Sequence, residues 1–512
     1  MTAETAKTHH ATLAEFETRR AAAQAMGGPG KLEARRVAGL LDARARVDRL
    51  LDPGSFTETG LFAVAEAHAM RPRTPADGKI AGYGRVEGRP VGVVSNDFTV
   101  LGASSSRTNS KKMGHVKAVA EKRGFPMVFL GESTGARMPD IMGAKGIGGG
   151  DSGSRYLRTR RAPWVSAILG PCYGSSSWYA AMSDFVVMRK GAVMAVASPR
   201  LTTLATSETV DEETLGGWRL HAQTTGMVDL VTDTDEAALD AARRFLSYLP
   251  THAGQVPTLA AVPPGSDDNP AALPGIVPAT RSQVYDVRKV IAALADTGTP
   301  FEMKARFGRS ITTSLARIGG RTVGFIANNP AVKGGAIDVD ACDKATSFLV
   351  LCDSFNVPIV LLVDQPGFLV GVQGEARKAV GKVMNWMNAL SLVTVPRLSI
   401  VMRKSYGQAH LNMGGAGNAD DVAAWTTAEV SFMEPEFGAA IVHGVRRDGD
   451  PDAFAGAMAD MTRETSAYDL AAINGAQAVI DPRETRRWII DMLAVRSSGV
   501  GRHMMSHWPT CF

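Results

Sequence analysis

The sequence contains few cysteines, no long apolar run and little net charge. Its four cysteines, Cys172, Cys342, Cys352 and Cys511, form no CxxC pair, which argues against a zinc ribbon and favours a reducing compartment. The longest apolar runs, such as VPIVLLV at 357–363, fall short of the roughly 18 residues that a membrane helix needs. Residues 1–20 mix Glu with Arg and lack an apolar core, so they match neither a secretory signal nor a transit peptide. We therefore predict a cytoplasmic protein that does not associate with membranes.

Charge and composition argue against two further classes. The 56 Lys and Arg residues against 51 Asp and Glu leave a net charge of +5 over 512 residues, and the basic residues are dispersed. We therefore expect no nucleic-acid binding, and the mild basicity better suits a small phosphorylated ligand. With 45% hydrophobic and 21% charged residues, the chain has the composition of an ordinary globular protein rather than a disordered or fibrous one.

The two halves of the chain repeat one another. GRPVGVVSNDF at 88–98 aligns with GRTVGFIANNP at 320–330 at a shift of 232 residues, and the match continues without a gap as far as Gly135 and Gly367. Further on, SAILGPCYG at 166–174 aligns with SIVMRKSYG at 399–407 at a shift of 233. Both copies read as a strand, a Gly-containing loop, a helix of about 20 residues and a buried strand that ends in a Gly turn, which is an α/β pattern.

A segment rich in Pro, Gly, Ser and Asp at 260–278 lies between the two copies and carries no hydrophobic period. We therefore predict an N-terminal domain at 1–259 and a C-terminal domain at 279–512. The first domain begins with a helical arm, because apolar residues recur at helical spacing over 12–51 and the turn signal DPGS follows.

Four loops that follow buried strands are the candidate functional sites. They are Gly135-Ala136 and Gly174-Ser175 in the first copy, and Gly367-Phe368 and Gly407-Gln408-Ala409 in the second. A chain that leaves a strand for a helix exposes backbone N–H groups, and two such groups that converge on one oxygen form an oxyanion hole suited to a thioester enolate. The alternative is that these glycines only permit tight turns.

A competing motif is GESTG at 131–135, which fits the G-x-S-x-G nucleophile elbow and follows a predicted strand. On this interpretation Ser133 is the nucleophile of a serine hydrolase, and His221 could complete its triad. The repeat argues against it, because the position equivalent to Ser133 is Gln365 in a loop of the same design.

Two weaker patterns carry no prediction of a ligand. GIGGGDSG at 146–153 contains a dinucleotide-type glycine match at Gly148, Gly150 and Gly153, but no apolar strand precedes it, so a loop or lid is the better interpretation. Near the C-terminus, His503, His507 and Cys511 have metal-like spacing, yet such a trio in a terminal tail is more often accidental. We predict no bound metal.

The chain resembles the carboxyltransferase (beta) subunits of biotin-dependent acyl-CoA carboxylases, of the propionyl-CoA carboxylase type. The resemblance implies two tandem crotonase-like domains of the spiral ββα kind, and it agrees with the internal repeat. It rests on nine segments spread over nearly the whole chain: DARARVDRLLDPGSF (42–56), GYGRVEGRPVGVVSNDFTVLG (82–102), STGAR (133–137), GPCYG (170–174), EETLGG (212–217), FLSYLP (245–250), CDSFNVPIVLLVDQPGFLVG (352–371), VPRLSIVMRKSYG (395–407) and IDPRETRRWI (480–489).

The resemblance also implies a mechanism. Carboxybiotin on a separate carrier would release CO₂, and an acyl-CoA held as its enolate would capture it. Backbone amides would stabilise both anions, with Gly174 and Ser175 serving the thioester and Gln408 and Ala409 serving biotin. The remaining substrate-binding candidates are Gly135, Ala136, Arg137, Gly367, Phe368, Gly407, His410 and Leu411.

The implied partners are a biotin carboxylase and a biotin carrier subunit, since no AMKM-like biotinylation motif occurs in the chain. Members of the family form homo-oligomers, commonly hexamers, and build the site between the N-domain of one subunit and the C-domain of another. We therefore expect biotin as a cofactor carried by another chain, a coenzyme A thioester as substrate, and self-association.

Departures from the family pattern fall at the site itself. GPCYGSS at 170–176 stands where GPCAGGA is usual, and RKSYGQA at 403–409 stands where RKAYGGA is usual. At the position that the family associates with acyl-chain preference, this chain has Leu411. These changes leave open an acyl-CoA decarboxylase on the same fold or a noncatalytic carboxylase subunit, and the acyl group stays undetermined.

Overall fold

The computed structural model of the chain describes residues 3–144, 146, 157–497 and 499–508. The chain divides into two compact units, Met1–Ser247 and Tyr248–Phe512. The segment 260–278, which the sequence suggested as a divider, belongs to the second unit. It contains the short helices Asn269–Ala272 and Leu273–Ile276, and Leu273 is fully buried among the core residues of that unit. Val277 is also part of that core, and Ile276 packs against it.

Each unit contains one eight-stranded sheet among the described residues. In the first unit the spatial order is β1-β2-β3-β4-β5-β6-β8, with β7 paired to β5. The pairs β1–β2 and β2–β3 are antiparallel, and the other pairs are parallel. The strands are β1 Thr57–Glu58, β2 Lys79–Val86, β3 Arg89–Asn96, β4 Met127–Ser133, β5 Trp164–Tyr173, β6 Phe185–Arg189, β7 Val193–Ala195 and β8 Leu230–Thr232.

The second unit has the same arrangement. Its spatial order is β16-β14-β13-β12-β11-β10-β9, with β15 paired to β13. The two pairs that involve β10 are antiparallel, and the other pairs are parallel. The strands are β9 Phe301–Met303, β10 Ile311–Ile318, β11 Arg321–Asn328, β12 Ile359–Gln365, β13 Arg397–Tyr406, β14 Asp421–Trp425, β15 Glu429–Ser431 and β16 Ala478–Ile480.

Helices flank these sheets, and the arm predicted over 12–51 is confirmed as helical. The first-unit α-helices are Ala3–Gln24, Pro29–Val37, Ala43–Leu50, Arg107–Arg123, Met138–Ile141, Ser175–Ala181, Pro199–Thr206, Glu212–Gly216 and Asp235–Tyr248, the last of which reaches the boundary between the units. The second unit adds Leu273–Ile276, Val287–Leu294, Val339–Ser354, Val372–Ala376, Ala379–Leu392, Ala409–Asn412, Pro435–Val442, Pro451–Met461, Ala467–Ala472 and Thr485–Arg496. No helix in the described part of the chain is both long enough and apolar enough to cross a membrane.

The internal repeat is confirmed down to strand register. Strand β2 pairs with β3 so that Lys79 lies opposite Asn96, and β10 pairs with β11 so that Ile311 lies opposite Asn328. Lys79 and Ile311 are 232 residues apart in the chain, and so are Asn96 and Asn328. The predicted α/β class is therefore confirmed, with two copies of one unit in tandem.

One matched pair of the repeat, Lys112 and Lys344, has a structural explanation. Each lysine lies on the helix that follows the hairpin and is buried. The Lys112 ammonium donates to the carbonyl of Lys79 at 2.5 Å, and the Lys344 ammonium donates to the carbonyl of Ile311 at 2.7 Å. Burial lowers the pKa of Lys112 to about 8 and that of Lys344 to about 7. Each lysine thus links a helix by a hydrogen bond to the first residue of β2 or β10, the first strand of the hairpin.

Candidate functional site

The loop Gly135-Ala136 follows β4, and a neighbouring segment holds it in place. The Ser105 N–H donates to the Gly135 carbonyl at 2.7 Å, and the Arg137 N–H donates to the Ser105 carbonyl at 2.8 Å. Gly135 has φ 98°, which side-chain-bearing residues rarely adopt, and its N–H donates to the Ser133 hydroxyl at 3.1 Å. Ala136 is exposed, and among the described contacts its N–H has no partner. This amide therefore faces outward from a fixed loop.

The Ser133 hydroxyl is fully buried and serves the loop rather than a substrate. It donates to the Ala103 carbonyl at 3.1 Å. His221 lies in other contacts, because its Nε2 is 2.6 Å from the Met194 carbonyl oxygen and its Nδ1 is 3.1 Å from the Thr225 hydroxyl. A serine nucleophile needs an exposed oxygen and an adjacent base. Neither condition is met, so the geometry does not favour the serine-hydrolase interpretation.

We expect Ser133→Ala to lower activity by less than about tenfold. The variant removes the acceptor of the Gly135 N–H and costs roughly 1 to 3 kcal/mol of stability, but it takes no reacting atom away. Activity and melting temperature should be measured together. A folded Ser133→Ala protein that still bound CoA esters but had lost several orders of magnitude in kcat would restore the nucleophile hypothesis.

Arg137 lies in a buried ion pair directly after this loop. Its Nη1 is 2.5 Å from Asp77 and 3.0 Å from Asp140, and its Nη2 donates to the Ser104 carbonyl at 3.1 Å. The side chain is almost completely buried. A substrate-binding role for Arg137 stays a prediction; the observed contacts anchor the loop that carries Ala136.

The second loop, Gly174-Ser175, follows β5, the parallel neighbour of β4. Gly174 has φ 63°, and its N–H donates to the carbonyls of Ala195 and Val196, both at 3.2 Å. The prediction that the Gly174 N–H donates to substrate is therefore corrected, because this N–H already donates to carbonyls of β7 and of the residue after it. The amides at the start of the helix Ser175–Ala181 belong to Ser175 and Ser176, and neither has a partner among the described contacts. Sequence reasoning missed Ser176, although a helix always leaves its first N–H groups without intrahelical acceptors.

The second unit builds the first of its loops in the same way. The Ile337 N–H donates to the Gly367 carbonyl at 3.0 Å, and the Leu369 N–H donates to the Ile337 carbonyl at 2.8 Å. Gly367 has φ 127° and an open space of at least 4 Å where a Cβ would lie. Phe368 is half-buried and occupies the position of Ala136.

The loop Gly407-Gln408-Ala409 is the counterpart of Gly174-Ser175-Ser176. Gly407 has φ 66°, and its N–H donates to the Ser431 carbonyl at 3.0 Å. The helix Ala409–Asn412 begins directly afterwards. Among the described contacts the amides of Gln408 and Ala409 have no partner, and the Gln408 side chain is exposed. The two units therefore present equivalent pairs of amides at equivalent strand ends.

A buried carboxylate precedes each first loop, and sequence reasoning missed both. Glu132 contacts Arg35 at 3.0 Å and Arg46 at 2.6 Å. Its counterpart at the shift of 232, Asp364, contacts Arg403 at 3.0 Å and accepts a hydrogen bond from Tyr285 at 2.8 Å. The repeat alignment contained this signal, because Glu132 aligns with another acidic residue, Asp364. These ion pairs hold the strand ends from which the loops depart.

The first unit also contains a cavity of about 1180 Å³. It lies between the N-terminal helix Ala3–Gln24, the segment 61–76 and residues Thr99 and Leu101. Its lining combines cationic side chains with two aromatic rings whose centroids are 5.8 Å apart. These lining residues are Arg19, Lys31, Arg71, Arg73, Phe16 and Phe62. The lining residue Leu101 directly precedes Gly102, and the Gly102 carbonyl accepts a hydrogen bond from the Thr134 N–H at 2.9 Å.

Comparison with known proteins identifies the family of the chain. A carboxyl transferase domain matches residues 35–503. The chain belongs to the carboxyl transferase family. It is 35% identical over 497 residues to the methylmalonyl-CoA carboxyltransferase 12S subunit of Propionibacterium freudenreichii subsp. shermanii, with 95% of this chain and 94% of that protein covered. It is 36% identical over 482 residues to the propionyl-CoA carboxylase beta chain of Roseobacter denitrificans, with 93% and 94% covered.

The solved structures agree with the same assignment. A crystal structure of transcarboxylase 12S, described as a hexamer assembly with methylmalonyl-coenzyme A and methylmalonic acid bound, superposes with a TM-score of 0.88 at 35% identity. The alignment covers 95% of this chain and 96% of that one. The resemblance deduced from sequence motifs is therefore confirmed, as is the fold of two tandem crotonase-like domains. The chain is a carboxyltransferase that acts on acyl-CoA thioesters.

Two further predicted residues of this family member lie beside the Gln408 loop. The Nδ1 of His410 is 2.8 Å from the Ser405 hydroxyl, which also accepts a hydrogen bond from the Gln365 amide at 3.3 Å. Burial lowers the pKa of His410. Leu411 is half-buried, and its carbonyl accepts a hydrogen bond from Asn418 at 3.1 Å. A role for Leu411 in acyl-chain selection stays a prediction.

Some sequence patterns fall outside the described residues. Gly148, Gly150 and Gly153 of the glycine-rich stretch are among them, as is Cys511 of the C-terminal trio. Within the residues that the structure does describe, no group of three or more His, Cys, Asp or Glu side chains is placed to hold a metal ion.

Proposed function

We propose that this chain exchanges a carboxyl group between biotin, carried by another protein, and the α-carbon of a short acyl-CoA such as propionyl-CoA. The observation that supports this most strongly is the pair of equivalent amide sites, one in each unit, at Ser175-Ser176 and Gln408-Ala409. One anion needs one such site, and a reaction that passes through two anions needs two. The relatives named for propionyl-CoA and methylmalonyl-CoA support the choice of acyl group.

On the thioester side, the amides of Ser175 and Ser176, together with that of Ala136 in the neighbouring loop, would donate to the carbonyl oxygen of the acyl-CoA. These hydrogen bonds strengthen as the α-proton leaves and the oxygen becomes an enolate, so they favour the transition state over the ground state. The loops have little freedom to move, because Gly135 and Gly174 are both hydrogen-bonded to neighbouring segments. Preorganised donors of this kind lower the barrier without a reorganisation cost.

At the biotin site in the second unit, the amides of Gln408 and Ala409 would donate to the ureido oxygen of biotin. No atom lies within 4 Å of the position that a Cβ would take on Gly367, and the unpartnered amides suit the ureido oxygen. When bound, biotin would supply the transferable carboxyl group and a basic ring nitrogen. The exposed Gln408 side chain narrows the approach compared with a glycine, while the backbone donor at that position is kept.

We further propose that the cavity near Arg71 and Arg73 holds the nucleotide end of coenzyme A. Guanidinium groups bind phosphates through charge-assisted hydrogen bonds, and aromatic rings such as Phe16 and Phe62 suit stacking with adenine. The cavity is large enough for a substantial part of a cofactor-sized ligand.

Replacing both cavity arginines, Arg71→Gln and Arg73→Gln, should raise KM for acyl-CoA by roughly ten- to a hundredfold and leave kcat nearly unchanged. The reason is that contacts to the nucleotide are equal in the ground and transition states, and a hydrogen bond to a charged group contributes about 1.5 to 3 kcal/mol. Arg20→Gln, on the N-terminal helix that borders the cavity but outside the lining, is the control for loss of a nearby arginine. A fall in kcat with an unchanged KM would contradict the assignment of the cavity.

The proposed partners are a biotin carrier and a biotin carboxylase, and the proposed assembly is a homo-oligomer like the hexamer of transcarboxylase 12S. The test incubates the purified chain with methylmalonyl-CoA and free biotin as the acceptor probe. We expect propionyl-CoA to form only when biotin is present. Loss of CO₂ from methylmalonyl-CoA without biotin would overturn the proposal in favour of a biotin-free decarboxylase.

A further inference from the structure

Lys79, the first residue of β2, occupies a position that suits an apolar side chain. Its exposed fraction is 1%. The repeat supplies an internal comparison, because the equivalent first residue of β10 is Ile311, which is 0% exposed and has the same strand register. A buried ammonium group costs stability that isoleucine does not, so a lysine in one copy alone calls for an explanation.

The contacts of Lys79 lead to one carbonyl group. Its ammonium donates to the Ala103 carbonyl at 3.0 Å, and the Ser133 hydroxyl donates to the same oxygen at 3.1 Å. Ala103 has φ 49°, an unfavourable conformation for a residue with a side chain, whereas its counterpart in the second unit is Gly335. Two donors on one carbonyl therefore hold a strained residue in place.

The segment that contains Ala103 is paired with the loop that presents Ala136. The Thr134 N–H donates to the Gly102 carbonyl at 2.9 Å, and the Ser105 N–H donates to the Gly135 carbonyl at 2.7 Å. A shift of Ala103 would move residues on both sides of it, and these residues fix the position of Gly135. Lys79 thus influences the position of the Gly135-Ala136 loop indirectly, through Ala103 and Ser133, and does not contact it.

The charges that face Lys79 come from four elements. Asp77 precedes β2, Lys112 lies on the helix Arg107–Arg123, Arg137 follows the Gly135-Ala136 loop and Cys172 lies on β5. Burial, the largest cause, lowers the pKa of Lys79 to about 7. Burial raises the pKa of the Cys172 thiol to about 12, so that this neighbour stays neutral. The positive charge of Lys79 is therefore present below neutral pH and is lost as the pH rises.

We propose that Lys79 is a positioning residue for carboxyl transfer: its ammonium group holds Ala103 in place and adds positive potential behind the amide of Ala136, where the enolate oxygen forms. This inference rests on the proposed function of the Gly135-Ala136 loop. It predicts a residue that lowers stability and raises activity, which is the opposite of what a structural lysine does.

The test compares wild type with Lys79→Met. At pH 6 we expect the variant to have a kcat lower by roughly tenfold, because the loss of a buried positive charge weakens stabilisation of the oxyanion in surroundings of low effective dielectric constant. KM for acyl-CoA should change little, since the charge acts on the transition state. The ratio of wild-type to variant kcat should fall toward 1 between pH 7 and 9, as Lys79 loses its proton.

Stability gives a second readout with a definite sign. The pKa of Lys79 is lower in the folded state than its value of 10.5 when exposed, so between these values the unfolded chain binds more protons and wild-type stability rises with pH. The melting temperature of Lys79→Met should therefore exceed that of wild type most clearly below pH 7. If Lys79→Met fails to fold, Lys79→Ile replaces it in both measurements, because isoleucine is the residue that the second unit has at this position.

Lys344→Met is the matched control, because that lysine is equally buried in the second unit and has no described contact with the first-unit loops. Its kcat should keep the wild-type pH dependence. A ratio of wild-type to Lys79→Met kcat that is the same at every pH, whether 1 or larger, would overturn the proposal. An active Ser175→Pro enzyme would instead contradict the proposed oxyanion sites themselves, so the two failures are distinguishable.

Discussion

Ser175→Pro is expected to lower kcat by about 10² to 10³ while the protein stays folded. Ser175 is the first residue of the helix Ser175–Ala181, and proline is well tolerated at that position because its fixed φ suits a helix start. The substitution thus removes one N–H group and little else. Loss of a single oxyanion donor costs about two to three orders of magnitude in kcat.

Ser175→Ala is the matched control for this variant, since it removes the hydroxyl and keeps the backbone donor. Its kcat should lie within a few-fold of wild type. Circular dichroism and the melting temperature check that both variants are folded, and acyl-CoA binding should survive in both. If Ser175→Ala were as inactive as Ser175→Pro, hydroxyl chemistry would replace the backbone donor as the explanation.

Glu132→Gln is expected to lower the free energy of unfolding by about 3 to 5 kcal/mol. Three guanidinium groups, from Arg35, Arg46 and Arg189, share the two buried carboxylates of Glu132 and Asp235. Neutralising Glu132 leaves three cations with one anion in a site where the Glu132 and Arg46 side chains are at most 3% exposed. Uncompensated buried charge is among the few causes of such a large effect from one substitution.

Asp240→Asn is the control for the ion-pair prediction. Asp240 also pairs with an arginine, Arg49, but both side chains are about half exposed, at 51% and 49%. An exposed pair contributes at most about 1 kcal/mol. Chemical denaturation of the three proteins measures the differences. Equal losses for Glu132→Gln and Asp240→Asn would show that burial of the network is not what stabilises the end of β4.

The local patterns of the sequence predicted most of the architecture. Apolar runs that end in glycine identified β4 and β12, and a shift of 232 to 233 residues identified the duplication before any strand pairing was seen. These features could be predicted because strand formation and positive-φ turns depend on residues close together in the chain. The loops at Gly135, Gly174, Gly367 and Gly407 were found for the same reason.

The roles of individual groups at those loops depended on distant residues. GESTG has the local pattern of a nucleophile elbow, yet Ser133 is buried because its hydroxyl meets Ala103, thirty residues earlier in the chain. The Gly174 amide looked available until β7 was seen to use it. Glu132 meets Arg35 and Arg46 across 97 and 86 residues. None of these partners can be read from neighbouring positions.

The sequence by itself therefore determined the duplicated α/β fold, the family and the four loops that we propose carry the chemistry. The tertiary structure decided which N–H groups in those loops remain available, which polar side chains are buried, and that the Lys79 ammonium donates to the Ala103 carbonyl. The physical reason is that backbone conformation follows from local sterics, whereas the availability of a donor depends on every acceptor that the fold brings within about 3 Å of it.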